Sequence, residues 1–539
     1  MPSNGAVRLP ARGDLIAGLS VALVLIPQSL AYAALAGLPV VHGLYTAAVA
    51  TLAAGLIGSS PYLQTGPTAL TSLLTLGALA PLATAGTEQF AVHAALLALV
   101  VGVVRVSLGL LRWGVVAYLM SQPVLSAFTV AAAILIVTSQ VPALLDVNVD
   151  QANPLLAGLA ALASPGRWSA VSIVVGLGTI AIIVGGRRLS PLFPGALVSS
   201  GLALGLSALG WVTITEVGHV PSGLPPVSSD LPWRSLGGLI LPGFVIALVG
   251  FAEPASIARR YAAEERKRWD ADKEFIGQGL ANLAAGAFSG QPSGGSFSRS
   301  ALNRLSGART RWSGAVTGLV VLAVMPVASV LSGLPKAALA GLVIAAVLSL
   351  VEVRPFRDAW RYSRPQFFVA LPTFVTTLAA APRVERGLFV GVALSLAVHL
   401  WRELRLELDT WTTGDTLHVR PQGVLYFASA PSLETRVMSL MADAPDLRRI
   451  VVHLDQLGRL DLTGALVLRS LVEDMRRADA SVLIEGTQPQ ARRLVDSVLG
   501  PDASLANSGG TAGDVAGGSP SIEFEQHAEP ARPVPREGG

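Results

Sequence analysis

Stretches of about twenty residues with almost no charge recur along this chain, as from Asp14 to Leu35, Ala91 to Leu111 and Ser313 to Leu334. Helices of that length cover the hydrocarbon of a bilayer. Composition agrees: 52% of the residues are hydrophobic and 14% charged, against about 25% charged in soluble domains. The chain reads as an all-α polytopic membrane domain over 14–405, after a cytoplasmic segment 1–13. Its first apolar run is too long for a signal-peptide core and is expected to be retained.

Candidate spans lie at about 14–36, 42–59, 66–84, 90–111, 120–141, 168–186, 193–213, 237–257, 274–290, 296–306, 312–333, 336–352, 366–382 and 386–404. The third and tenth begin with small, polar or proline residues and would cross only part way as helix. Counting both gives fourteen segments, or two sets of seven. With the N-terminus inside, the loops after even-numbered segments hold Arg112, Arg187, Arg188, the cluster from Arg259 to Arg268, Arg304, Arg309, Arg311 and Arg354 to Arg364. The odd loops hold Glu88, Asp146, Asp150, Glu216 and Asp230, with Arg167, Arg234, Lys336, Arg383 and Arg386 as exceptions. This bias places both termini in the cytoplasm of a plasma (inner) membrane. It also accounts for the net charge of +4 without nucleic acid. With no cysteine and seven scattered histidines, no metal site or cofactor is expected.

Three places break the apolar pattern. In Ile26-Pro27-Gln28-Ser29-Leu30-Ala31-Tyr32 a proline frees a backbone carbonyl, and Gln28 and Tyr32 share one helical face. That face is either a binding surface or a packing kink with an interhelical hydrogen bond. Gly66-Pro67-Thr68 reads as a helix start, whose free N–H groups and positive dipole end point at whatever lies in front. Gln291 to Ser300 repeats that logic: Gly294-Gly295 permits close approach, Ser296 or Ser298 can cap the helix that follows, and Arg299 adds a full charge. Irregular backbone at membrane depth is tolerated where it is buried in protein or lines a watery cavity. Two helix starts meeting near the midplane, one in each seven-segment half, make an anion site of an inverted-repeat transporter. Arg299 otherwise snorkels to the cytoplasm or neutralises a carboxylate. Glu253, the single carboxylate of its span, is either a proton-coupling group or the counter-charge of Arg299. Arg105 lies nearer a cytoplasmic end, where snorkelling accounts for it.

From about Arg405 the pattern changes. Thr416 to Ser429 alternates like a strand, Ser432 to Ala442 has helical spacing, and Arg449 to Leu454 is a short buried strand. Asp461 leads a helix to about Arg477, then come a strand Ser481 to Glu485 and a helix Pro489 to Leu499. This is a small cytoplasmic α/β domain over 414–500. The tail 501–539, rich in Gly, Ser, Pro and Ala, is expected to be disordered.

With these residues in hand, the chain resembles the SulP (sulfate permease) family of anion transporters over about 12 to 500. The resemblance rests on Pro27 to Ala33, Gly66 to Ala69, Pro123 to Thr129, Gly279 to Asn282 and Gly294 to Asn303, in that order. The terminal domain resembles the STAS domain. The resemblance implies core and gate subdomains built from two intertwined seven-segment repeats, with the anion held between the short third and tenth helices and moved by an elevator-like displacement. It implies substrate-binding roles for Gln28, Tyr32, Gly66, Pro67, Thr68, Gly295, Ser296, Phe297, Ser298 and Arg299, and an ion-coupling role for Glu253. Ser293-Gly294 stands where many relatives have Val-Thr, and Ala127 where a glycine is common. Thr463, in Asp461-Leu462-Thr463-Gly464, matches a regulatory phosphorylation position, although Thr463 or Asp461 serves equally as a helix N-cap.

The function expected is secondary-active transport of a small inorganic anion or a carboxylate (sulfate, bicarbonate or dicarboxylate), coupled to H+ or Na+, by a homodimer in the lipid bilayer. The alternatives are an uncoupled exchanger or channel on the same scaffold, and a membrane-anchored signalling protein with the STAS domain as output. The chain shows no nucleophile–base set, phosphate loop or metal cluster, and no enzyme is expected.

Overall fold

The computed structural model describes residues 10–115, 121–211, 213–403, 406–427, 429–444, 446–487 and 489–500. The expected tail 501–539 and most of the segment 1–13 lie outside them. The chain divides into two compact units, one up to Val398 and one from His399.

In the first unit the elements run in two matching series. The first is α1 (Arg12–Leu35), α2 (Val41–Ile57), β1 (Thr65–Gly66), α3 (Ala69–Leu79), α4 (Glu88–Leu110), α5 (Gln122–Leu145), α6 (Pro154–Leu162), α7 (Ala170–Leu189) and α8 (Gly195–Ala208). The second is α9 (Leu236–Glu264), α10 (Ala271–Ala287), β2 (Gly294–Gly295), α11 (Phe297–Leu305), α12 (Trp312–Val324), α13 (Lys336–Val347), α14 (Arg354–Tyr362), α15 (Arg364–Ala379) and α16 (Glu385–Glu403). In each series the third member is a two-residue strand followed by a short helix, which is why those two segments read as broken spans. Each series also has a short helix after its fifth segment, α6 and α14, that apolar-run counting does not find. In α14 three arginines (Arg354, Arg357, Arg361) alternate with Phe356 and Trp360, a charged pattern unlike a span.

Among the described residues, seven helical stretches are long and apolar enough to cross a membrane by length and composition. Burial is inverted relative to a soluble protein. Val174, Leu177, Leu202 and Phe368 are exposed, while Gln28, Thr46, Thr51, Gln64, Ser72, Gln278 and Asn282 are buried. An apolar exterior suits lipid, and buried polar side chains hold helices together where hydrophobic burial cannot.

The second unit contains β3 (Glu407–Thr413), β4 (Thr416–Leu425), α17 (Ala430–Asp443), β5 (Arg449–His453), β6 (Leu457–Leu460), α18 (Leu462–Arg477), β7 (Ser481–Glu485) and α19 (Pro489–Leu499). The sheet order is β3-β4-β5-β7, with β6 also pairing β4. β3 and β4 form an antiparallel hairpin in which Trp411 faces His418, turning at Gly414 with φ +62°. The β4–β5, β4–β6 and β5–β7 pairs are parallel. Leu417, Val419, Ile450, Val452, Leu468, Leu471 and Ile484 fill a core of this unit's own. The strand expected to reach Ser429 ends at Leu425, where the chain turns towards α17.

Candidate functional site

The two short strands pair antiparallel, Thr65 opposite Gly295 and Gly66 opposite Gly294. Residues some 230 apart in sequence thereby bring the starts of α3 and α11 together. Gly66 adopts φ +153°, and a Cβ there would sit 3.2 Å from Thr51 Oγ1 and 3.6 Å from Arg299 Nη2. The strand pair is pinned from all sides. Thr51 Oγ1 donates to Thr65 O at 2.7 Å, and Gln278 Nε2 donates to Thr65 Oγ1 at 2.8 Å. Ser300 Oγ accepts from Gln64 N at 2.9 Å, and Gln64 O accepts from Ser296 N at 3.1 Å. Asn282 grips Ser293 twice, accepting from its N–H at 2.8 Å and donating to its carbonyl at 3.2 Å. Backbone groups freed by breaking the helices thus meet side chains or each other, as the interior of a membrane protein requires.

Thr68 is the N-cap of α3, bonded reciprocally with Thr71. Ala69 and Leu70 keep N–H groups that no intrahelical carbonyl can reach. The start of α11 differs from expectation. Ser296 is its N-cap residue but makes no side-chain cap; its hydroxyl lies 3.3 Å from that of Ser298. The cap comes instead from Glu253 of α9, whose Oε1 accepts from Phe297 N at 2.9 Å. A carboxylate at the positive end of a helix is a stronger partner than a hydroxyl.

Arg299 is 1% exposed, so it does not snorkel. It does not pair with Glu253 either: Nη2 donates to Pro67 O at 3.0 Å, while Nε and Nη1 are buried without a partner. Gln28 Oε1 is likewise buried and unpartnered. Gln28, Ser298 and Arg299 line one cavity of about 320 Å³ together with Arg187, Phe193 and Leu342. Glu253 and Phe297 line another of about 360 Å³ with Leu70, Gln122, Thr129 and Glu352. Tyr32 is buried at 5% exposure and lines neither. Two helix starts plus a buried guanidinium with free donors suit a negatively charged ligand.

Arg105 corrects the snorkelling expectation. It is wholly buried, and its guanidinium donates to the carbonyls of Ala247, Ser293 and Ile246. Counting residues from the end of the helix gave its depth but not the direction in which it points. The polar residues of α2 and α10 that hold the strands (Thr51, Gln278, Asn282) were signalled only by being polar inside apolar runs.

In the second unit Asp461, not Thr463, caps α18: its Oδ1 accepts from Gly464 N at 2.8 Å. Thr463 is exposed one residue into the helix. On the sheet, Trp411, His418 and His453 stack in a row, with His418 Nδ1 3.0 Å from His453 Nε2.

The sulfate permease family matches residues 11–373 and the STAS domain residues 407–498. A probable sulfate transporter of Mycobacterium tuberculosis is 35% identical over 401 residues, covering 73% of this chain and 70% of its own. The chloroplastic sulfate transporter 4.1 of Arabidopsis thaliana is 29% identical over 511 residues, covering 87% and 74%. The inward-facing structure of the murine Solute Carrier 26 family member A9 anion transporter has the same fold, with a TM-score of 0.83 at 19% identity over 91% of this chain and 88% of that one. So does the transmembrane domain of the cyanobacterial bicarbonate transporter BicA, with a TM-score of 0.62 at 23% identity over 71% and 97%. The chain is an integral membrane protein with a C-terminal STAS domain, and it belongs to the sulfate permease family of anion transporters.

Proposed function

We propose that the protein is a secondary-active carrier that holds a small oxyanion or carboxylate between the starts of α3 and α11, and that Glu253 couples its movement to protons. Arg299 carries this reading: a buried guanidinium with two unpartnered nitrogens is costly unless an anion meets it. Relatives described as sulfate transporters make sulfate the first substrate to try, with bicarbonate and dicarboxylates after it. The coupling argument is electrostatic. An ionised Glu253 puts a negative charge at the same helix end that an anion would use. Protonation removes that charge, so anion and proton favour binding together.

An elevator-like displacement is supported by the distribution of bonds. The hydrogen bonds given above for β1, β2 and the start of α11 come from α2, α4, α9, α10 and α11 and from Gln64 just before β1. The facing walls of both cavities come from α5, α7, α13 and neighbouring loops. The test is binding and uptake in proteoliposomes: Arg299→Ala is expected to abolish anion-dependent thermal stabilisation and uptake together. Unchanged sulfate, bicarbonate and succinate binding in that variant would remove the site from consideration.

The Glu253–Phe297 bond also favours a second reading, in which Glu253 is a structural cap and the protein exchanges anions without accumulating them. Counterflow without proton-driven accumulation in the parent protein would decide for it.

A further inference from the structure

Arg105 is a full positive charge at 0% exposure whose hydrogen-bond partners are neutral carbonyls. Nε donates to Ala247 O at 3.0 Å, Nη1 to Ser293 O at 2.9 Å and Nη2 to Ile246 O at 3.3 Å. Two of these acceptors lie midway along α9, and the third enters β2. The guanidinium therefore ties the helix that carries Glu253 to the strand that leads into Arg299. It also lies beside the other helix start. A Cβ on Gly250 would meet Arg105 Nη2 at 2.8 Å and Thr71 Cγ2 at 3.2 Å, and Thr71 is the partner of the α3 cap. One more buried carboxylate belongs to this neighbourhood, Glu274 of α10, but it turns elsewhere. It receives a hydrogen bond from Ser59 and one at 3.1 Å from Gln278, while the face of α10 towards α4 is Gly279 against Val106.

An apolar side chain would fill this space more cheaply than a buried cation with no carboxylate partner, so the charge needs a use. Arg105 also presents a planar fork that a lysine cannot reproduce. Resting on the anion-site reading of Arg299, we infer that Arg105 is a positioning residue whose charge selects doubly charged anions. With Arg299 it sets two fixed, fully buried positive charges around the two helix starts, against the carboxylate Glu253; Arg187 and Glu352, which line the two cavities, add one charge of each sign and leave that balance unchanged. That balance suits a divalent oxyanion or dicarboxylate accompanied by a proton.

The inference makes a quantitative demand. For a guanidinium roughly 8 Å from the anion and an effective dielectric of about 20, losing one charge weakens a doubly charged ion about thirtyfold more than a singly charged one. The experiment measures sulfate and nitrate affinities by thermal shift and by transport on the full chain, for the parent, Arg105→Gln, Arg105→Lys and Arg299→Ala. The expected result is a sulfate-to-nitrate preference that falls about thirtyfold in Arg105→Gln and stays within about threefold of the parent in Arg105→Lys. An equal loss for both anions, or an unchanged preference, overturns it, because a purely structural clamp cannot sense the charge of the ligand. Should Arg105→Gln fail to fold, Arg105→Met replaces it as the neutral variant with the same two outcomes, and a changed preference in Arg105→Lys, where the charge is retained, overturns the inference. Unchanged affinity in Arg299→Ala would sink the underlying anion site instead, which keeps the two failures apart.

Discussion

Replacing Glu253 by glutamine separates its two roles. The glutamine oxygen can still accept from Phe297 N, now 2.9 Å from the carboxylate, so the start of α11 keeps its cap. What disappears is the charge. A charged acceptor is worth roughly twice a neutral one, and a carboxylate at a helix N-terminus contributes about 0.5 to 2 kcal/mol. The cap should therefore weaken by about 1 kcal/mol, too little to unfold the protein. The anion gains by a similar amount, because no fixed negative charge competes for the helix end. Anion affinity in Glu253→Gln is expected to exceed that of the parent by about fivefold at high pH, and to be flat with pH where the parent's affinity falls as pH rises. Transport shows the counterpart. One proton moving with the anion down a gradient of one pH unit supplies about 1.4 kcal/mol, or about tenfold accumulation. Uptake of labelled sulfate into proteoliposomes with acidic exterior should reach that ratio in the parent. In Glu253→Gln it should reach equality, with sulfate–sulfate exchange preserved. Proton-driven accumulation by the variant would refute the coupling role. Loss of exchange in a variant that still binds sulfate would refute the separation of charge from cap.

Asn282→Ala removes both bonds to Ser293 and leaves that residue's buried N–H unpaired, while its carbonyl keeps the Arg105 guanidinium. A loss of about 2 to 4 kcal/mol in stability is expected, read as a lower detergent melting temperature with sulfate uptake abolished. In the second unit, burial pushes the His453 imidazole below its ordinary value, against the opposing pull of Glu485. A histidine whose folded-state value is lowered adds stability above its unfolded value and loses it as pH falls through that range. The isolated unit should thus unfold more easily below about pH 6.5, and His453→Gln should flatten the dependence in urea titrations. Ala301 and Ala346 line opposite walls of one cavity, and the chain has no native cysteine. An oxidised Ala301→Cys, Ala346→Cys pair is expected to bind anion but not transport it, and transport by the cross-linked protein would contradict the displacement.

The broken segments were legible because their residues violate what lipid allows: Gly66-Pro67 and Gly294-Gly295 cannot continue an apolar helix. That they pair with each other was not legible, since two-residue strands carry no alternation and their partners lie far apart. The Glu253 cap was hidden for a related reason. A serine at the start of a helix predicts a local cap, but a carboxylate from another helix won. Sequence depth set Arg105 near a helix end, whereas its carbonyl acceptors on α9 and at Ser293 exist only once the bundle has formed. In the STAS domain the buried strands β5 and β7 announced themselves by Ile450, Val451, Val452 and Ile484. The outer strand β3, with Glu407, Asp409 and a run of threonines, has no apolar face to give it away.

These hidden contacts share a logic that bears on how the carrier would move. Breaking a helix in a membrane liberates backbone groups, and each must be repaid by a side chain from a neighbour. Here Thr51, Gln278, Asn282, Ser300, Arg105 and Glu253 supply those partners, and they sit on α2, α10, α11, α4 and α9. The demand that makes the site possible therefore binds these helices into one polar unit. The opposite walls of the cavities, from α5, α7 and α13, mix apolar residues with Gln122, Thr129 and Arg187, and none of the hydrogen bonds given above crosses to them. Sliding along these walls breaks none of those bonds, whereas sliding within the polar unit would strand buried donors and acceptors at about 1 to 3 kcal/mol each. On the proposed carrier reading, the cheapest motion available to the bundle is displacement of the whole polar unit with its anion, so that the stiffness of the site and its mobility would have the same cause.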